Sequence, residues 1–143
     1  MFTLAFRILN DYDEANDVLQ EAFINVFQKI EQFKKQSSLG AWIKTIVIRT
    51  AIRHLKKHKD YDSFEPNKHD EITYNKENID GKILEKIIMS LPVGYRTVFI
   101  LAEIEGYKHK EIAEILNISE GTSKSQLFNA KRILRDILKK DVF

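Results

Sequence analysis

Cysteine is absent from the 143 residues, which excludes disulfides and cysteine-based zinc sites and suits a reducing compartment. Glycine and proline are scarce, at five and two, too few turn formers for a many-stranded β fold. No apolar run reaches the ~18 residues that a membrane-spanning helix needs, and no signal-peptide pattern opens the chain. A large charge of either sign is also missing, since 23 Lys and Arg against 21 Asp and Glu leave a formal +2. A histone-like polycation is thereby excluded, and any affinity for nucleic acid has to come from local clusters. Catalytic signatures are lacking too. There is no phosphate-cradling glycine loop and no nucleophile elbow. Asp17 and Glu21 make a carboxylate pair with no His close to them in sequence. His54 and His58 have a chelating spacing in HLKKH, but lysines stand where a zinc protease needs its Glu, and nearby cations oppose a metal. They read instead as histidines on a basic face. The residues assign no enzyme, no metal and no cofactor.

What is present is helical period, with nine Phe available for cores, and the expected class is all-α. MFTLAFRIL (Met1 to Leu9) enters as the end of an apolar helix. Asn10 to Asp13 break it, and Asp11 with Glu14 three residues later resembles a capping box. The helix expected from Asp13 to Phe33 has a core stripe of Ala15, Val18, Leu19, Ala22, Phe23, Val26, Phe27 and Ile30. A second face carries Asp17, Gln20, Glu21, Ile24 and Gln28. An Ile among carboxylates marks either a partner surface or a solvated face with one stray apolar group.

A polar, basic loop follows from Phe33 to Ser38, with Ser37 or Ser38 as the cap of the next helix. That helix, Leu39 to Lys59, is expected to bury Leu39, Ile43, Ile46, Val47, Ala51 and Leu55. Its other side shows Thr45, Arg49, Arg53, Lys56 and Lys57, with Trp42, Ile48 and Ile52 beside them. Cations among exposed apolar and aromatic groups suit unpaired bases, which offer both phosphate charge and stacking faces. Trp as a residue type is more often in a core than on a stacking platform, so Trp42 reads first as a core residue.

Periodicity then vanishes. Residues 60–80 alternate in charge and mark a linker between modules 1–59 and 81–143. In the second module, a helix from Gly81 to Leu91 turns Ile83, Leu84, Ile87, Ile88 and Leu91 inward. Pro92 suits the first turn of the next helix, which runs to Glu105 and buries Tyr95, Val98, Phe99, Leu101 and Ala102. Gly106 stands where the chain must turn left-handed. His109 to Leu116 and a helix from Thr122 then form a helix-turn-helix, with Asn117 to Gly121 as the turn and Ser119 as the cap. The last helix is apolar at Leu127, Ala130, Leu134, Ile137 and Leu138. Gly121, Lys124, Ser125, Phe128, Lys131, Arg132 and Arg135 lie opposite. Such a helix suits a major groove, where phosphates need cations and base edges need donors. The same pattern also describes an amphipathic surface helix with a solvated face.

Four blocks in this order resemble the extracytoplasmic-function (ECF) sigma factors of the sigma-70 family. ANDVLQEAFINVFQKIEQF (Ala15 to Phe33) is similar to region 2.2. FKKQSSLGAWIKTIVIRTAIRHLKK (Phe33 to Lys57) is similar to regions 2.3 and 2.4. LPVGYRTVFILAEIEGYKHKEIAEIL (Leu91 to Leu116) and ISEGTSKSQLFNAKRIL (Ile118 to Leu134) together are like region 4. Order, spacing and linker length agree over nearly the whole chain. The resemblance implies a region 2-like three-helix module with a truncated first helix and a region 4-like four-helix module. It implies a bacterial, cytoplasmic sigma factor that directs core RNA polymerase to promoter DNA and helps melt the −10 element. No catalysis, no cofactor and no membrane insertion belong to that role.

Residue by residue, the resemblance implies that Asp17, Gln20, Glu21 and Ile24 dock on the clamp helices of the largest polymerase subunit. Lys34, Lys35 and Ser37 would lie at the pocket for a flipped −10 base, a step whose unstacking cost the pocket must offset. Trp42, Thr45, Arg49, Ile52, Arg53 and Lys56 would line the path of that strand. Lys124, Ser125, Gln126, Phe128 and Asn129 would read the −35 element, with Thr122, Lys131 and Arg132 nearer phosphates. Many such proteins are held inactive by an anti-sigma factor, often membrane-tethered. Two departures stand out. Arg49 occupies a position where the family usually has Asn, which leaves the −10 preference open. The family also normally carries roughly another helix before Met1, so a form extended upstream is expected to bind core polymerase more tightly. The rival classes are a stand-alone helix-turn-helix regulator and a helical module that binds only proteins.

Overall fold

The structure, a computed structural model, describes residues 1–58 and 81–142. The linker expected at 60–80 lies outside the described residues. Every regular element among the described residues is helical, as the helical period and scarce turn formers predict. The chain divides into two compact units, Met1–Tyr61 and Asp62–Phe143.

The first unit holds α1 (Phe2–Leu9), α2 (Tyr12–Lys29) with a 3-10 turn at Ile30–Gln32, and α3 (Leu39–His58). α1 stops at Asn10, whose φ of 52° is left-handed and whose N–H reaches the Phe6 carbonyl. Asn tolerates that conformation better than most side chains. Asp11 then caps α2 by accepting from the Glu14 N–H at 2.9 Å. The core joins Leu4, Ala5, Ile8 and Leu9 to Ala15, Val18, Ala22 and Val26, and to Val47, Ile48, Ala51, Ile52 and Leu55. Each fully buried Val, Leu or Ile contributes about 1.5–3 kcal/mol before the chain-ordering cost.

Three expectations about this unit are corrected. The helical stripe of α2 puts Phe23, Phe27 and Ile30 in the core, yet they are 36%, 75% and 43% exposed. α2 packs on α1 and α3, and among the described residues these two neighbours leave this part of its apolar side uncovered. Leu39, also expected inside, opens α3 and is 45% exposed. Ile48 and Ile52 go the other way and are buried. α3 packs against both α1 and α2, and a helix lying against two neighbours hides a wider arc than one apolar stripe suggests.

The second unit holds α4 (Gly81–Met89), α5 (Val93–Phe99), a π turn at Ile100–Ile104, α6 (His109–Leu116) and α7 (Glu120–Val142). Its core includes Ile87, Ile88, Leu91, Tyr95, Val98, Ile100, Leu101, Ile112, Leu116, Ala130, Ile133 and Leu134. Arg96 sits inside it, 5% exposed. Its Nη1 donates to the carbonyls of Met89 and Leu91 at 3.2 and 3.1 Å, fastening the end of α4 to α5. Burial pushes its guanidinium down to about 10, so it remains a cation at neutral pH. After the π turn, Gly106 takes φ 78° and turns the chain toward α6, in keeping with its place in the sequence.

Candidate nucleic-acid interface

The helix-turn-helix is assembled by short polar contacts. Glu111 reaches back to accept from the Lys108 N–H at 3.1 Å, closing the start of α6. Asn117 ends α6 with a left-handed φ of 55°. Ser119 accepts from the Thr122 N–H at 3.0 Å, the cap expected of it, and α7 begins at Glu120, slightly before Thr122. His109 Nδ1 lies 2.8 Å from the hydroxyl of Ser123, which is fully buried. This contact ties the first turn of α6 to the first turn of α7 and sets the angle between them.

α7 packs on both α5 and α6, and this decides which side chains it shows. Lys124, Ser125, Phe128 and Arg132 are exposed, and Thr122, Asn129 and Lys131 are partly exposed. Phe128 is 63% exposed, an aromatic ring standing among cations. Gln126, expected on this face, is instead buried at 7%. The arc facing α5 and α6 includes it, for the same reason that α3 buries Ile52. Two of the cations have acidic neighbours. Lys131 Nζ pairs with Glu103 at 2.7 Å, and Lys124 Nζ lies 3.8 Å from Glu120.

In the first unit, Ser38 is the cap of α3, accepting from the Ala41 N–H at 3.1 Å. Lys34, Lys35 and Ser37 lie in the loop before it, Lys35 and Ser37 exposed and Lys35 with a left-handed φ of 56°. Trp42 is half-buried, its ring centroid 5.3 Å from that of Phe33. It therefore meets neither extreme, with one side on Phe33 and part of the indole in solvent. Arg49, Arg53 and Lys56 share the exposed side of α3 with partly exposed Thr45. The Thr45 hydroxyl donates to the Ala41 carbonyl at 3.1 Å. Ile52, expected to line the same path, is 3% exposed and does not join them.

On α2, Asp17, Gln20 and Ile24 are exposed, Ile24 by 58%. Glu21 departs from them. Its Oε1 accepts from Arg53 Nη2 at 3.0 Å, and its Oε2 lies 2.7 Å from His54 Nε2. The hydrogen bond with His54, helped by Arg53, holds the Glu21 carboxyl below its ordinary range. Sequence reasoning missed His54 as a partner because it lies 33 residues away. Among the described residues, no group of three His, Asp or Glu side chains could hold a metal ion. No helix among them is long and apolar enough to cross a membrane.

Two helical units in this order, the second ending in a helix-turn-helix, are each matched by a model of one family. Residues 1–61 match the family model of Sigma-70 region 2, and residues 81–134 that of Sigma-70, region 4. The chain is 30% identical over 155 residues to the ECF RNA polymerase sigma factor SigW of Bacillus subtilis (strain 168), spanning 97% of this chain and 83% of that one. It is 29% identical over 141 residues to RNA polymerase sigma factor SigV of the same organism, spanning 98% and 85%. Its fold is similar to that of the sigma factor RpoE solved with the anti-sigma factor NepR from Bartonella quintana. There the TM-score is 0.68 at 23% identity, over 96% of this chain and 89% of that one. The chain belongs to the ECF RNA polymerase sigma factors, proteins that direct RNA polymerase to promoters for transcription initiation.

Proposed function

We propose that the two units divide promoter recognition between them, with limits at 1–59 and 81–143 and a linker at 60–80. The exposed face of α7 reads the −35 element. Ser125 and Asn129 offer donors and acceptors to base edges, Phe128 offers apolar contact to a thymine methyl, and Lys124, Lys131, Arg132 and Thr122 lie nearer phosphates. The loop of Lys34, Lys35 and Ser37 and the face of Trp42, Thr45, Arg49, Arg53 and Lys56 engage the unpaired −10 strand. Cations answer the phosphates there and the indole edge answers a base. Asp17, Gln20 and Ile24 meet the clamp helices of the largest subunit, which gives an exposed Ile among polar groups a purpose. The placing of Phe128, 63% exposed amid Lys124, Ser125 and Arg132, carries this reading, because it sets an apolar contact for a base among cations and a hydroxyl suited to phosphates.

The near-neutral charge of the whole chain fits weak binding to DNA until polymerase is present. The chain then supplies recognition and melting, and polymerase supplies the chemistry, so the chain is not itself an enzyme. It works where polymerase is, in the bacterial cytoplasm, and an anti-sigma factor is the partner that would hold it inactive. Reconstituted transcription with core polymerase on a promoter library is the test. Core-dependent initiation from a defined −35 and −10 pair is expected, and its absence would reject the proposal. Tight, specific duplex binding without polymerase would favour a stand-alone regulator instead.

A further inference from the structure

Glu21 is set apart from the other polar groups of its stripe on α2. Both of its oxygens are engaged across the α2–α3 packing, one with Arg53 and one with His54. Both oxygens of this carboxylate thus face groups of α3, while the side chain stays 44% exposed. Arg53 belongs to the exposed side of α3 with Arg49 and Lys56, and its side chain is 60% exposed. A guanidinium carries five N–H donors in a planar fork. The contact with Glu21 uses an Nη2 donor, and the outer part of the fork stays open to solvent. An unrestrained Arg side chain samples many rotamers, and an ion pair at its inner edge selects one direction for the outer edge. His54 is only 19% exposed and closes the inner side of the carboxylate.

We propose that Glu21 is a positioning residue for DNA engagement and not a polymerase contact: it aims Arg53 at the backbone of the unpaired −10 strand, with His54 anchoring its second oxygen. This rests on the assignment of the α3 face to that strand.

The test uses holoenzyme assembled from the full chain and core polymerase, on a promoter that wild-type holoenzyme has selected from a random library. Two quantities are measured: affinity for core polymerase by titration, and permanganate reactivity of unpaired −10 thymines at saturating core. Glu21→Ala is expected to lower thymine reactivity about fivefold, the scale of one well-placed exposed ion pair, with core affinity unchanged. Arg53→Ala lowers the same signal, and the double variant falls no further than Arg53→Ala, because the carboxylate then has nothing to aim. Glu21→Gln, whose amide oxygen still accepts from Arg53, recovers most of the loss.

A Glu21→Ala defect that appears in core affinity and disappears at saturating core would overturn the proposal in favour of a docking role. Additive losses in the double variant would overturn it too, as would a general weakening of the unit that Glu21→Gln does not rescue. An effect of Arg53→Ala with none of Glu21→Ala removes this inference and leaves the α3 assignment standing. No effect of Arg53→Ala removes both.

Discussion

The two units close over their cores to different degrees. In the second, α4, α5 and α6 all pack on α7. The large apolar groups left exposed there, among the described residues, are Leu84, Ile104 and Phe128. In the first, α1, α2 and α3 pack on one another and leave Tyr12, Phe23, Ile24, Phe27, Ile30 and Leu39 in solvent. The same observation therefore carries different weight in the two places. On α7 an exposed ring is out of keeping with its surroundings and points to a surface in use. On α2 the exposed apolar groups adjoin one another, with Ile24 beside Phe23 and one turn from Phe27, so no single one of them stands out.

The comparison can be strained most severely at Arg96. Arg96→Ala strips the carbonyls of Met89 and Leu91 of their charged donor inside a core, at a cost of about 3 kcal/mol. Amide hydrogen exchange should then rise in α4 and α5 and stay unchanged in α1–α3. Equal loss of protection in both would show that the units do not stand independently. Next in size is the paired change Lys124→Ala with Lys131→Ala. If both lysines neutralise phosphates, the holoenzyme should lose about two units from the slope of log affinity against log salt on promoter DNA. A slope reduced by only one would mean that Lys131 keeps its partner Glu103, 2.7 Å away, when DNA is bound.

The capping serines allow a matched test. Ser38→Ala and Ser119→Ala each remove a side-chain acceptor from a helix N-terminus and should each cost about 1 kcal/mol by urea unfolding. A much smaller cost at Ser38 would mean that the loosely covered first unit depends less on its helix ends. Smaller still is Phe27→Ser, expected to change stability by no more than about 0.5 kcal/mol, because the ring is 75% exposed. A loss of several times that size would show that the apolar side of α2 is covered in solution.

The smallest effect is acid dependence at Glu21. Its folded pKa is lowered, so its contribution is complete above the unfolded value of 4.5 and is lost as pH falls through the folded one. The side chain is 44% exposed, and solvent screening limits the loss to about a few tenths of a kcal/mol. It should emerge as a narrowing gap between wild-type and Glu21→Gln unfolding midpoints below that pH.

What the chain reveals before its fold is known is mostly local. Asn10 and Asp11, Gly106, and Asn117 with Ser119 mark turns and caps through their own backbone chemistry, and each stands where its residue type requires. α6 is legible to its ends. The outward faces of α3 and α7 are legible in part, because period alone cannot tell how many neighbours a helix will have. A single buried stripe would leave Ile52 and Gln126 outside, and each lies in the wider arc that two neighbours cover. Phe23, Phe27 and Ile30 escape for the opposite reason, since no pattern within α2 reports how far its neighbours cover it. The pairs Glu21 with Arg53 and His54, and Lys131 with Glu103, join residues far apart in the chain and leave no local mark. Arg96, inside an apolar run, reads like a surface cation until the carbonyls that receive it are seen.

The π turn at Ile100–Ile104 has a consequence for everything after it. Its bond from the Glu105 N–H to the Ile100 carbonyl, at 3.0 Å, spans one residue more than an α-helical bond. Deleting a single residue from that turn would restore an ordinary helix and rotate the exit of the chain by about 100°, with a step of about 1.5 Å. Gly106 and the start of α6 would be turned with it, whereas α7 is held on α5, so the α6–α7 packing would be strained. The extra residue acts as a phase offset, and one deletion would disturb the helix-turn-helix without changing any side chain of α6 or α7.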